Sequence, residues 1–142
     1  LEINRALSKS LIVFWILIII EILLGTGIRT NLELVSIENP LLSKGELLNA
    51  LDSYKYFHSF LGFTLLFLST YIYSKLRTNK LYIARFLGIF ILGMIIVQIF
   101  LGEMMIFFEL PQLTRLFHTW GSSWLVGVVI ILYNCIRNEY AK

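Results

Sequence analysis

Charge is scarce in this chain, and histidine and cysteine are scarcer still. Of 142 residues, 15% are charged, two are histidines and one is a cysteine. A soluble domain of this length needs a largely polar surface, so 58% hydrophobic residues and a mean hydropathy of +0.79 exclude a water-soluble core as the sink for this much apolar area. The lone cysteine, Cys135, excludes an internal disulfide and reads as a packed, inert thiol. The chain has no cysteine cluster and no His-x-x-x-His or Glu-x-x-His spacing, so it lacks the usual three- or four-ligand pattern of a zinc site. The net charge of +3 forms no basic stripe and predicts no nucleic-acid partner.

What remains is apolar and helical in pattern. Stretches at about 11–28, 56–74, 82–107 and 116–136 are long enough to cross roughly 30 Å of hydrocarbon at about 1.5 Å per residue. They predict an all-α fold, a single integral membrane four-helix bundle over residues 1–142 in contact with lipid. Arg5 and Lys9 precede the first stretch, Lys75, Arg77, Lys80 and Arg85 flank the second turn, and Arg137 and Lys142 follow the last. The positive-inside rule then puts both termini in the cytoplasm. The opposite side mixes Glu33, Glu38, Glu46, Asp52 and Glu109 with Arg29, Lys44, Lys55 and Arg115, as a translocated loop does. The first stretch carries Glu21 and leads into Gly25, Gly27 and Arg29 with no clear small-residue cleavage site, so it is expected to stay in the mature fold.

The outer segment, about 29–55, reads as irregular. Asn39 and Pro40 break structure, and Ser43 with Glu46 three residues on has the form of a capping box. The two readings of 43–52 are a short amphipathic helix with Leu47, Leu48 and Leu51 on one face, and a solvated loop with one helical turn.

Two units repeat along the chain. Glu21-Ile22-Leu23-Leu24-Gly25 and Gln98-Ile99-Phe100-Leu101-Gly102 stand 77 positions apart, and each is followed by a loop and a helix opening with Phe-His, Phe57-His58 and Phe117-His118. The bundle therefore reads as two helix-loop-helix repeats about an approximate two-fold axis along the membrane normal. That axis brings His58 and His118 to one level near the outer face. Two imidazoles at matched depth, with no third, fit the axial ligation of one heme iron better than zinc. Small residues beside them, Gly25, Gly62, Gly102, Gly121 and Ser122, would leave room for a porphyrin; such residues also let membrane helices approach closely. Arg29 and Arg115 are candidates for the heme propionates. Carboxylates at membrane depth are costly, about 2.5–3.5 kcal/mol at a helix centre, which singles out Glu103 as a candidate catalytic proton carrier. Glu21 and Gln98, about 6 Å deeper than their paired glycines by helical rise, are read as interhelical hydrogen-bonding groups, Gln98 above all.

In their order, Leu24-Gly25-Thr26-Gly27-Ile28-Arg29 followed by His58, and Gln98 to Gly102, Leu110-Pro111 and His118, resemble the first and second and the third and fourth helices of one half of a heme A synthase. The resemblance covers nearly the whole chain. It implies a half-size synthase in a prokaryotic cytoplasmic membrane, with heme b as cofactor and heme O as substrate, whose methyl group is oxidised to the formyl of heme A. It also implies association with a copy of itself or a second four-helix heme unit, and functional partners in heme O synthase or the respiratory chain. Phe14, Trp15, Trp120 and Trp124 are candidates for that contact, and for lipid or heme packing. In the family's substrate-handling half a glutamate stands three residues before the first ligand histidine; here Lys55 does, and Arg115 takes the matching place before His118. That departure makes the chain similar to the heme-b-holding half, with Glu103, Glu46 or Asp52 as the substitutes available. The competing functions are a non-catalytic b-type cytochrome passing electrons in a respiratory assembly, and a heme-free packing subunit with structural histidines.

Overall fold

The computed structural model describes residues 2–49, 51, 53–108 and 111–139. Helices α1 (Glu2–Glu38), α3 (Tyr54–Leu76), α4 (Tyr82–Phe107) and α5 (Gln112–Glu139) are long, α2 (Lys44–Asn49) is short, and there is no strand among the described residues. The long helices pack in the cyclic order α1, α3, α4, α5, each against its two neighbours, while α2 rests on α1. Asp52, Glu109, Leu110, Lys142 and the side chains of Lys44 and Leu48, all used in the sequence reading, lie outside the described part.

The helices associate through a repeating seam. Buried positions step by four and three: Leu7, Leu11, Phe14 and Ile18 on α1, Leu65, Ser69, Ile72 and Leu76 on α3, Ala84, Gly88, Ile91 and Ile95 on α4, and Leu125, Val129, Leu132 and Ile136 on α5. This is the a/d stripe that packs neighbouring helices at a shallow angle. It joins the start of α1, the end of α3, the start of α4 and the end of α5 into one cluster, so both described termini share the end that carries Arg5, Lys9, Arg77 and Arg137. The other faces are apolar as well. Phe67 on α3 is 75% exposed and Trp124 on α5 is 67% exposed, an arrangement stable only where the surroundings are as apolar as the side chains. Three segments, Arg5–Glu38, Tyr82–Phe107 and Gln112–Asn138, are long and apolar enough to cross a membrane, the mark of an integral membrane protein. Helix α3 has 23 residues but falls outside that set, because His58, its serines and its tyrosines dilute its apolar content.

Two expectations are corrected. The outer segment is not irregular from residue 29, since α1 continues to Glu38. Nothing in 29–38 breaks a helix: Arg29 Nε and Glu33 Oε1 pair at 3.0 Å one turn apart, and the Thr30 hydroxyl donates to the Thr26 carbonyl. The helix stops where Asn39 precedes Pro40, whose ring disfavours helical backbone at the residue before it. Phe14 is no surface for association, because its place on the four-three seam buries it completely; Trp15 is half-buried, and Trp120 and Trp124 are exposed. The capping box does form. The backbone N–H and hydroxyl of Ser43 both donate to Glu46 Oε2 at 2.8 Å, which holds the Glu46 carboxyl below its ordinary value. The helix it starts is shorter than 43–52, and Leu47 and Leu51 are buried at 8% and 4% exposure.

One close crossing lies between α3 and α4. A Cβ on Gly88 would meet Leu76 Cδ1 at 2.8 Å, and Leu76 is fully buried with nowhere to turn, whereas a Cβ on Gly93 meets nothing within 4 Å. Gly88→Ala is therefore expected to destabilise the bundle by about 1–3 kcal/mol. Gly93→Ala should stabilise it by about 0.5–1 kcal/mol through helix propensity. Thermal unfolding in detergent reads both, and equal midpoints for the two variants would refute the tight crossing.

Candidate functional site

The seam changes character at one level. Below it every position is buried and, Ser69 apart, apolar; above it the same four-three steps reach Glu21 and Gly25 on α1, His58 and Gly62 on α3, Gln98 and Gly102 on α4, and His118 and Ser122 on α5. Of these only Gln98 is fully buried. Residues that face the bundle interior yet keep partial access mean that the end where α3 and α5 begin is less closely packed than the apolar seam. An apolar seam would close it; a polar, small-residue seam leaves a cleft.

Contacts across the cleft follow the repeat. A Cβ on Gly25 would stand 3.4 Å from His58 Cε1, and one on Gly102 would stand 3.8 Å from His118 Cε1. One turn deeper, a Cβ on Gly62 would stand 3.4 Å from Glu21 Oε1, and one on Gly121 would collide with the Gln98 amide. Each histidine thus rests on a glycine of the neighbouring helix, and each deeper polar side chain fills the space a second glycine vacates. The Ser122 hydroxyl shares its proton between Gln98 Oε1 at 3.2 Å and the His118 carbonyl at 2.8 Å, so Gln98 bonds between helices as its sequence position predicts.

The two imidazoles stand edge to face, with ring centroids 6.3 Å apart and planes at 71°. A metal bonds an imidazole nitrogen at about 2 Å and the ring centre lies about 1 Å behind that nitrogen, so two trans ligands hold their centroids roughly 6 Å apart. The observed spacing would suit a single metal ion held between the two rings. Both Nδ1 atoms are buried and lack an aligned hydrogen-bond partner. His58 Nδ1 nevertheless lies 3.1 Å from Glu21 Oε1, within ion-pair range but off the hydrogen-bond direction. The His118 ring is backed by the Gln98 main chain. A metal-bound histidine commonly presents its second nitrogen to a carboxylate or a backbone carbonyl in this way. No group of three or more His, Cys, Asp or Glu side chains lies together among the described residues, so the donor set is a pair.

The remaining candidates are placed differently. Glu103 is exposed, and a helical step of about 100° carries it off the seam that holds Gly102. The carboxylate brought to the histidines is Glu21, whose side chain is only 17% exposed and whose Oε2 is buried without a partner. The four-three phase from Phe14 through Ile18 is the signal that identifies it. Arg29 is tied to Glu33 on its own helix with its side chain 70% exposed, and Arg115 is exposed near the start of α5. Both stand at the open end of the cleft and neither reaches into it. Lys55, one turn before His58, carries its ammonium 5.3 Å from the Tyr56 ring centre.

Fold and site together define a helical membrane bundle with a paired-histidine cleft at one end. No protein family, curated protein or solved structure matches the chain.

Proposed function

We propose that the chain is a bis-histidine heme protein of the heme A synthase type, with His58 and His118 as the axial ligands of a heme b. The observation that carries this reading is the 6.3 Å centroid spacing of two imidazoles at the mouth of a cleft whose walls are glycine. Gly25 and Gly102 make room for the two imidazoles, Gly62 and Gly121 for the polar side chains beneath them, and Arg29 and Arg115 outside the cleft are the cations nearest to hand for carboxylate substituents. Bound heme would supply one-electron chemistry, and the surrounding helices would orient it and exclude water from its deep edge. In this reading α3 also crosses the membrane: its 23 residues span about 34 Å at about 1.5 Å per residue, and it packs between α1 and α4. The termini lie in the cytoplasm of a prokaryotic cell and the cleft opens toward the outer face, as the basic residues at the closed end favour. A second four-helix unit, a copy or a relative, would complete the eight-helix arrangement the resemblance implies.

The reaction proposed is oxidation of the heme O methyl group to the formyl of heme A, in which water supplies the oxygen atom and a respiratory electron acceptor takes up the four electrons, with four protons released. Expression with a heme O source should yield formyl heme in extracted membranes, read by the pyridine hemochrome spectrum. Heme b alone, with heme O and redox partners present, would refute synthase activity for this chain.

A second reading has its own observation. Lys55 stands where the family's substrate-handling half has a glutamate, and the catalytic candidate Glu103 is exposed and off the seam. A b-type cytochrome passing electrons between respiratory partners needs no such carboxylate, and two protein ligands leave no open iron position. Reduction by quinol without heme conversion would select it.

A further inference from the structure

We propose that Glu21 is a positioning residue for His58, and that it makes the two axial imidazoles chemically unequal. The inference rests on the heme reading above. Glu21 Oε1 lies 3.1 Å from His58 Nδ1, with the two side chains 17% and 23% exposed, and among the described residues His58 is the only ion-pair contact Glu21 makes. Gly62 holds open the space for that carboxylate, since a Cβ there would already stand 3.4 Å from Oε1, and Gly25 holds open the space for the ring. Histidine and carboxylate are thus fitted to each other by two glycines from opposite helices.

The other repeat is built alike and ends differently. At the position equivalent to Glu21 stands Gln98, whose side chain is engaged by Ser122 at 3.2 Å and whose main chain backs the His118 ring. One imidazole therefore has a carboxyl neighbour and the other an amide-bearing one. With Nε2 given to a bound metal, Nδ1 would carry the ring proton, and Glu21 Oε1 at 3.1 Å is close enough to accept it after a small turn of either side chain. A carboxylate acceptor fixes that tautomer and pushes more electron density through the ring than a carbonyl does. His58 becomes the stronger donor, which favours ferric over ferrous iron and lowers the midpoint potential. Glu21 and Gln98 thus tune one scaffold asymmetrically, and Glu21 acts through His58 without touching the iron.

The test uses the full chain, purified in mild detergent and loaded with heme b, with heme stoichiometry, midpoint potential and the low-spin ferric electron-paramagnetic-resonance signal as readouts. Glu21→Gln keeps size and loses charge, so it should hold heme at wild-type stoichiometry with a raised potential and a changed low-spin signal. Glu21→Ala removes the acceptor and should weaken heme affinity about 10–100-fold. Glu38→Gln, on the exposed end of the same helix, should match the wild type and controls for removing a charge. Should Glu21→Ala fail to fold, the isosteric variant still decides. A heme-loaded Glu21→Gln with the wild-type potential and signal overturns the proposal and leaves the heme reading standing. A wild-type chain that binds no heme overturns both.

Discussion

Alanine in place of either His58 or His118 is expected to empty the protein of heme. The wild-type chain, purified with heme available, should give a b-type reduced pyridine hemochrome at about one heme per site, and each single variant should retain less than about a tenth of it. The expected loss is large because the cleft offers the iron only two donors. The rings stand 6.3 Å apart, one on each side of the bundle axis, and among the described residues no third His, Cys, Asp or Glu joins them in a ligand cluster. Removing one ligand would leave a bound heme a single bond to the protein. The bundle itself should survive the change. Its buried core runs from Leu7 to Ile18 and from Leu125 to Ile136, below the level of both histidines, and neither imidazole has an aligned hydrogen bond to lose. Helicity and elution volume should therefore match the wild type, and free imidazole should restore heme to a His118→Gly variant by filling the vacated place. Equal heme content in wild type and variants would return both histidines to a packing role and remove the basis of the proposed function.

The residues that carry this expectation are legible in the sequence because they are rare. Two histidines after two similar segments can be paired by counting along the chain, and the apolar run between them bounds α4 at Tyr82 and Phe107, as the structure has it. Less legible is whatever depends on phase rather than on composition. Glu21 sits about 6 Å from Gly25 along its helix axis, and rise alone removes it from His58. The four-three step turns it to the same seam, and two long side chains close the gap to 3.1 Å. Glu103 shows the converse, since it is adjacent to Gly102 in sequence and faces away from the seam. The extension of α1 to Glu38 escaped for another reason. Polar residues after Ile28 end the apolar run without ending the helix, which is held by the Arg29–Glu33 pair and stopped only before Pro40.

Phase also decides the second large effect, which concerns glycines that look alike in sequence. Gly25→Leu and Gly102→Leu should abolish heme binding while leaving both histidines in place. Their Cβ positions stand 3.4 Å from His58 Cε1 and 3.8 Å from His118 Cε1, so three further carbons have to enter the cleft or push the imidazole out of line with its partner. Either outcome destroys a geometry that ligation tolerates only within a few tenths of an ångström. Gly27→Leu and Gly127→Leu are the controls. A Cβ at those positions meets nothing within 4 Å, and the added side chain goes into the surroundings of the bundle at no steric cost. If small residues served only to let helices approach, the seam and off-seam variants would differ in thermal stability and not in heme content. If they are the walls of a cofactor cleft, heme content should divide the four variants into two classes while the fold survives in all of them, read by hemochrome and by helicity on the same samples. Heme retained by Gly25→Leu and Gly102→Leu at wild-type levels would mean that the ring does not lie between these helices. The histidine spacing would then need another ligand to explain it.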